Sequence, residues 1–195
     1  MTTERNFFRV ARVCVGVRRL FAKVDVDYVG AVPQPGPVIY VANHRSFFDI
    51  PIGVEFYLRH GIAPEVAVHQ RYFQNRVLGA ILRYVGAQPL GKGLGEQWLA
   101  SASETLDAGR AVALMPQGRI TTASDQRSGI GALKSGVVRL AQATGAPVVP
   151  IGAVGTNEIW PLGRRLPRVR CRRPTVRICV GAAMFVEDLG PDEFM

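Results

Sequence analysis

Lysine is nearly absent from this sequence: Lys23, Lys92 and Lys134 are the only lysines among 24 basic residues. The net charge of +9 and the sequence pI of about 10.2 therefore rest on arginine. Arginine grips phosphate in a planar fork and is weakly hydrated. Such a chain is drawn to polyanions, namely anionic lipid surfaces, nucleic acid or phosphorylated substrates; a genome that favours arginine codons accounts for the same bias. Cysteine is also scarce. Cys14, Cys171 and Cys179 are odd in number and lack metal-ligand spacing, which excludes a disulfide framework and fits a reducing compartment. No apolar run is long enough for a spanning helix, and the opening residues lack the apolar core and cleavage site of a secretory signal. No long low-complexity tract occurs, so disorder is expected only at the tips.

What is present suffices for one globular unit: 195 residues with 48% hydrophobic content. Residues 5–23 read as a helix, with Phe7, Val10, Cys14, Val17 and Phe21 on one side and Arg5, Arg9, Arg12, Arg19 and Lys23 on another. A basic amphipathic helix of this kind suits a lipid interface, and equally a surface helix docked on the domain body with its basic face solvated. The sequence thus divides into a basic amphipathic segment, 1–30, and a main region, 31–195, within a single domain overall.

Beyond Pro33-Gln-Pro-Gly-Pro37 the pattern turns α/β. Strands are expected at 38–41, 65–68, 111–115, 147–154 and 176–180, with an extended piece at 85–90. Helices are expected at 48–59, 74–84, 96–108 and 132–143, the third of these ended by Gly109. Residues 120–129 are polar and irregular, as in a mobile loop. Strands alternating with helices predict a mixed, largely parallel sheet flanked by helices.

The most informative stretch is Val41-Ala-Asn43-His44-Arg45-Ser46-Phe-Phe-Asp49. Residues five apart on a regular helix point ~140° from one another. A contact between His44 and Asp49 therefore needs a turn, which a strand-to-helix junction supplies. An aspartate bonded to one imidazole nitrogen fixes the tautomer and leaves the other nitrogen free to take a proton from an alcohol. The same residues also match a capping box, with Ser46 as N-cap and Asp49 at the third helical position. In that case Asp49 only ties down a helix end.

Asn43-His44 followed by Asp49 resembles the first signature block of the glycerolipid acyltransferases, the family of 1-acylglycerol-3-phosphate acyltransferases. Val85-Gly-Ala-Gln-Pro-Leu-Gly-Lys92 resembles the second block, with Lys92 where the family usually carries an arginine for the acceptor phosphate. Met115-Pro116-Gln117-Gly118 resembles the third, usually Phe-Pro-Glu-Gly-Thr-Arg. Lys134-Ser-Gly136 matches a Lys-x-Gly step, and Pro147-Val-Val-Pro150-Ile a proline-containing fourth block. The resemblance spans roughly residues 5–190. It departs in the third block: Gln117 replaces a glutamate, Ile120 an arginine, and Arg119 stands one place early. Family members usually continue past the last strand into another helix, whereas this sequence stops at Met195.

The resemblance implies acyl transfer from a thioester to a lipid hydroxyl, with lysophosphatidate as the first candidate acceptor. His44 would be the general base and Asp49 its orienting partner. Asn43, Arg45, Ser46, Lys92, Pro116, Gln117, Gly118, Arg119 and Lys134 are the candidate substrate contacts, and backbone amides near Gly118 the candidate oxyanion donors. No metal or cofactor is implied; acyl-CoA or an acyl carrier protein would be the co-substrate. Other partners are the lipid acceptor and an anionic membrane surface, with peripheral attachment at the cytoplasmic face of the cell membrane. Alternatives are an acceptor without a phosphate monoester, or a lipid-binding protein that has lost catalysis. Nucleic acid is disfavoured, since no recognition-helix, zinc or single-strand-binding motif occurs. One further cluster stands out: Arg164, Arg165, Arg168, Arg170, Arg172, Arg173 and Arg177. It suits a solvated face, anionic lipid, the phosphates of acyl-CoA or an acidic carrier protein alike.

Overall fold

Apolar β-branched runs at the centre of the chain and polar-flanked runs near its ends build one seven-stranded sheet. The structure is a computed structural model and describes residues 2–121 and 135–186. The strands are β1 (Lys23–Tyr28), β2 (Ile39–Ala42), β3 (Glu65–His69), β4 (Gln88–Leu90), β5 (Val112–Leu114), β6 (Val148–Val154) and β7 (Thr175–Val180), in the order β1-β7-β6-β2-β5-β3-β4. All neighbours are parallel except β6 and β7. The central strands β2 and β5 lie under cover on both faces, which is why they read as continuous apolar runs.

The helices are α1 (Thr2–Arg18), α2 (Asp49–Arg59), α3 (Arg76–Tyr84), α4 (Gly95–Asp107), α5 (Gly136–Thr144) and the single turn α6 (Thr156–Ile159). One core joins α1 and α2 to the sheet through Phe7, Ala11, Tyr40, Phe56 and Ile178. The other joins α4 and α5 to it through Trp98, Ala102, Leu106, Leu140 and Val112. Gly109, at φ 72°, turns the chain out of α4 as expected. The irregular stretch expected at 120–129 falls, after Thr121, outside the described residues.

The N-terminal region differs from expectation in three ways. Residues 23–28 form a strand, so α1 stops at Arg18, and Lys23↔Thr175 through Tyr28↔Val180 pair as a sheet edge. The buried face of α1 is Phe7, Ala11, Val15 and Arg18, while Val13, Val17 and Leu20 stand exposed. The expected apolar side, Phe7, Val10, Cys14, Val17 and Phe21, shares only Phe7 with the buried residues of α1, because Ala11 and Val15 beside it are apolar too and the pattern does not rank them. Finally, the phenylalanines at the start of α1 divide: Phe7 is 5% exposed and Phe8 packs only partly against the core.

Strand direction decides which elements meet at each edge of the sheet. The carboxyl ends of β2 to β6 share one edge. Because β7 runs against β6, the amino ends of β7 and β1 lie at that edge too. The C-terminal end of α1 leads into β1 there. Its N-terminal end lies at the opposite edge, where Thr3 and Phe7 meet Pro64 and Gly86.

α1 is locked to α2 by a buried ion pair. Arg18 Nη2 meets Glu55 Oε2, both side chains almost fully buried, and Arg18 Nη1 donates to the carbonyl of Ala22 at 2.8 Å. Arg59 Nε adds a second contact to Glu55 at 3.1 Å from the solvent side. Burial lowers the Arg18 pKa and Glu55 opposes that shift; the guanidinium stays charged at neutral pH. Removing one member of such a pair strands the other. Glu55→Ala is expected to lower unfolding stability by about 3–5 kcal/mol, and Arg18→Met/Glu55→Leu by clearly less. Denaturant unfolding of the three chains measures both; equal losses would show that the pair, not the stranded charge, carries the effect.

Candidate active site

The site begins where β2 ends. Asn43 extends the strand with its side chain: Nδ2 donates to the Ala153 carbonyl at 3.0 Å, and Oδ1 accepts from the Ala153 amide at 2.8 Å. The next peptide is held from the other side. The His44 N–H donates to Gln117 Oε1 at 2.7 Å, and the His44 carbonyl accepts from Thr121 N at 2.8 Å and Thr121 Oγ1 at 3.0 Å. The imidazole thus leaves from a backbone tied to both neighbouring strand ends.

A short turn then brings Asp49 back. Its Oδ2 stands 3.0 Å from His44 Nδ1 and accepts the backbone N–H groups of Arg45 at 2.7 Å and Ser46 at 2.8 Å. The capping box is half formed. Asp49 does reach back to the Ser46 amide, but Ser46 Oγ turns away, donating to the Trp160 carbonyl at 2.6 Å and accepting from Phe48 N at 2.9 Å. Asp49 therefore both fastens the helix entry and meets His44. It opens α2, where the helix dipole favours negative charge.

Asp49 is 3% exposed and His44 17%. With Nδ1 committed to Asp49, Nε2 has no hydrogen-bond partner among the described residues. The pair stands at the carboxyl edge of the sheet, where parallel α/β sheets place their ligand sites. The geometry supplies a half-open imidazole whose tautomer is set from behind and whose outer nitrogen can accept a proton.

The other sequence-expected site residues divide. Asn43 and Ser46 spend their side chains on Ala153, Trp160 and Phe48, so they position His44 and its turn rather than face a substrate. Gln117 does the same for the His44 amide. Gly118 is not an open oxyanion donor: its N–H closes a turn on the Met115 carbonyl at 3.0 Å. Pro116 is a buried residue of that turn, Arg45 is half-buried next to His44 in the chain, and Arg119 is exposed while Ile120 is buried. Lys92 is exposed after β4, three strands from β2, or ~14 Å across the sheet at ~4.8 Å per strand. Lys134 lies outside the described residues. Thr121, which bonds the His44 carbonyl, and Trp160, which offers its own carbonyl to Ser46, carry no local sequence mark of these contacts.

Comparison with known proteins agrees with this architecture. The Acyltransferase family profile matches residues 23–154. The chain is 30% identical over 148 residues to the chloroplast 1-acyl-sn-glycerol-3-phosphate acyltransferase BAT2 of Brassica napus, covering 73% of this chain and 40% of that protein. It is likewise 30% identical to the chloroplast 1-acyl-sn-glycerol-3-phosphate acyltransferase LPAT1 of Arabidopsis thaliana, covering 73% and 39%. It therefore spans about two-fifths of the length of these curated relatives. The fold resembles the crystal structure of the 1-acyl-sn-glycerophosphate acyltransferase PlsC from Thermotoga maritima, with a TM-score of 0.70, 21% identity, and coverage of 94% of this chain and 72% of that one. With a profile match over well more than half its length and the same layered sheet, the chain belongs to the Acyltransferase family.

Proposed function

We propose that the chain transfers a fatty acyl group from a thioester to the free hydroxyl of a lysophospholipid, lysophosphatidate first, in phospholipid synthesis. The observation that carries this is the His44–Asp49 contact at 3.0 Å, with Nε2 left without a hydrogen-bond partner among the described residues. His44 Nε2 takes the proton of the acceptor alcohol as its oxygen attacks the thioester carbonyl. Asp49 holds the Nδ1–H tautomer and stabilises the imidazolium. The tetrahedral intermediate collapses, the C–S bond breaks, and the departing thiolate takes the proton back from Nε2. No acyl-enzyme forms, and no metal or cofactor enters; acyl-CoA or an acylated carrier protein is the co-substrate. The names of the curated relatives support the acceptor.

A second acceptor class has its own support. Gln117 is engaged with the His44 amide and Ile120 is buried, so the third block offers the acceptor phosphate fewer charges than the resemblance implies. Arg119 and Lys92 remain exposed cations, Lys92 ~14 Å across the sheet from β2. The acceptor resides in a bilayer, so we also propose peripheral attachment at the cytoplasmic face of the cell membrane. No described helix is long and apolar enough to cross a membrane.

Three outcomes test this. His44→Ala and Asp49→Asn are each expected to cut turnover of a labelled acyl thioester by roughly 10²–10⁴-fold with the fold intact by circular dichroism; wild-type turnover in His44→Ala would end the mechanism. In direct competition, lysophosphatidate is expected to outrun an uncharged monoacylglycerol, and Lys92→Ala to raise KM for the phosphorylated acceptor selectively. Equal use of both lipids would move the assignment to the second class. For Gln117, the glutamate variant keeps an acceptor oxygen for the His44 amide, while Gln117→Leu strands that amide at roughly 1–3 kcal/mol. Turnover is therefore expected to fall in Gln117→Leu and to stay near wild type in Gln117→Glu; an equal fall in both would show that the side-chain NH₂, which both lack, matters rather than the oxygen.

A further inference from the structure

Residues 160–174 leave α6 and return to β7 across the edge that carries His44. This loop is pinned rather than loose. Trp160 Nε1 donates to the Arg164 carbonyl at 2.9 Å, Arg168 N donates to the Ile159 carbonyl at 2.7 Å, and Arg173 Nη1 donates to the Arg19 carbonyl at 2.8 Å. The last contact joins the loop to the chain just past α1. Its other end borders the dyad: the Trp160 carbonyl accepts the Ser46 hydroxyl at 2.6 Å and its ring lies 5.7 Å from that of Phe47.

The surface so formed is both apolar and cationic. Leu162 is 52% exposed, Leu166 71%, Val169 83%, and Leu20 beside them 70%. Between these stand arginines, of which Arg164, Arg165 and Arg172 make no ion pair among the described residues. The loop's one described acidic contact is the long Arg170–Glu158 pair at 3.7 Å. Arginines alone would suit any polyanion. Exposed aliphatic side chains interleaved with them select an interface, where the aliphatics enter the acyl boundary while the guanidinium groups stay at phosphate level. A nucleic acid backbone would leave the leucines in water.

We propose that residues 160–174, with Leu20 just past α1, are the face by which this chain rests on an anionic bilayer, holding the sheet edge that carries His44 at the headgroup plane. This deepens the acyltransferase reading and rests on it. It also moves the lipid contact away from the first turns of α1, which lie at the opposite edge with Phe7 in the core.

The test is flotation with vesicles of phosphatidylcholine, alone or mixed with phosphatidylglycerol. The wild-type chain is expected to float with the anionic vesicles only, and less as salt rises. Each basic side chain at such a surface is worth roughly fivefold in partition, so Arg164→Gln/Arg165→Gln/Arg172→Gln should bind roughly a hundredfold more weakly. Position is read separately, and independently of that triple variant's folding. Leu166→Trp should be quenched by bromo-acyl lipids. Val29→Trp, equally exposed but at the opposite edge, should not be. Quenching at position 29 without quenching at 166 overturns the proposal. So does binding that ignores vesicle charge, or binding to an acidic acyl carrier protein with none to vesicles. Transfer to a water-soluble short-chain acceptor is measured alongside: its absence with vesicle binding and Leu166→Trp quenching intact would sink the enzymatic reading and leave this surface standing.

Discussion

One carboxylate oxygen, Asp49 Oδ2, accepts from the His44 ring, the Arg45 amide and the Ser46 amide, and the rest of the site depends on that convergence. Two amides fold the chain back between β2 and α2, and the third donor is the imidazole that the proposed mechanism uses as its base. The turn cannot keep its shape without the carboxylate, and the imidazole cannot keep its tautomer without the turn. Charge-assisted bonds to a buried oxygen are about twice as strong as neutral ones, so the junction is stiff where a base must be held still. On the proposed chemistry structure and reactivity share the same atom, and the capping and catalytic interpretations of Ser46-x-x-Asp49 describe two sides of one arrangement.

Stiffness at one end of α2 would mean little if the helix could slide. The Arg18–Glu55 pair prevents that by fastening α2 to α1, and β1 then fastens α1 to the sheet through β7. The basic N-terminal region is therefore a strut of the domain. Its arginines do two unlike things: Arg18 turns inward to a buried carboxylate, while Arg5, Arg9, Arg12 and Arg19 stay in solvent. The charge pattern along the helix does not distinguish them, because the partner of Arg18 lies on another helix.

What was legible in the sequence was whatever local chemistry determines. The central strands announced themselves as apolar runs, α4 ended at a glycine of positive φ, and the strand–His–turn–Asp–helix order placed the pair correctly. β1 is hard to see in the sequence although Val24 and Val26 alternate with Asp25 and Asp27, because an edge strand with charged outer positions looks like a linker after a helix. The ties of Asn43 to Ala153 and Ser46 to Trp160 were illegible for a different reason. Each joins a side chain to a backbone group more than a hundred residues away, and a backbone group has no sequence signature. Residues that looked like substrate contacts by their place in a motif thus proved to be fasteners of the loop that carries His44.

The third block shows how such a motif can change without losing its place. Holding the His44 amide requires only an acceptor oxygen, which an amide supplies as well as a carboxylate does. Gln117 therefore meets the positional demand, and the change from glutamate leaves the presentation of His44 intact. The arginine position is different in kind. Ile120 packs inward at 8% exposure, so the side chain there has left the solvent-facing set, and Arg119 beside it has entered that set. The first change preserves a hydrogen bond within the protein, whereas the second moves positive charge by one position along the chain, onto an exposed residue. On the proposed chemistry the two fall on separate steps: the base is kept, and what varies is the grip on the acceptor.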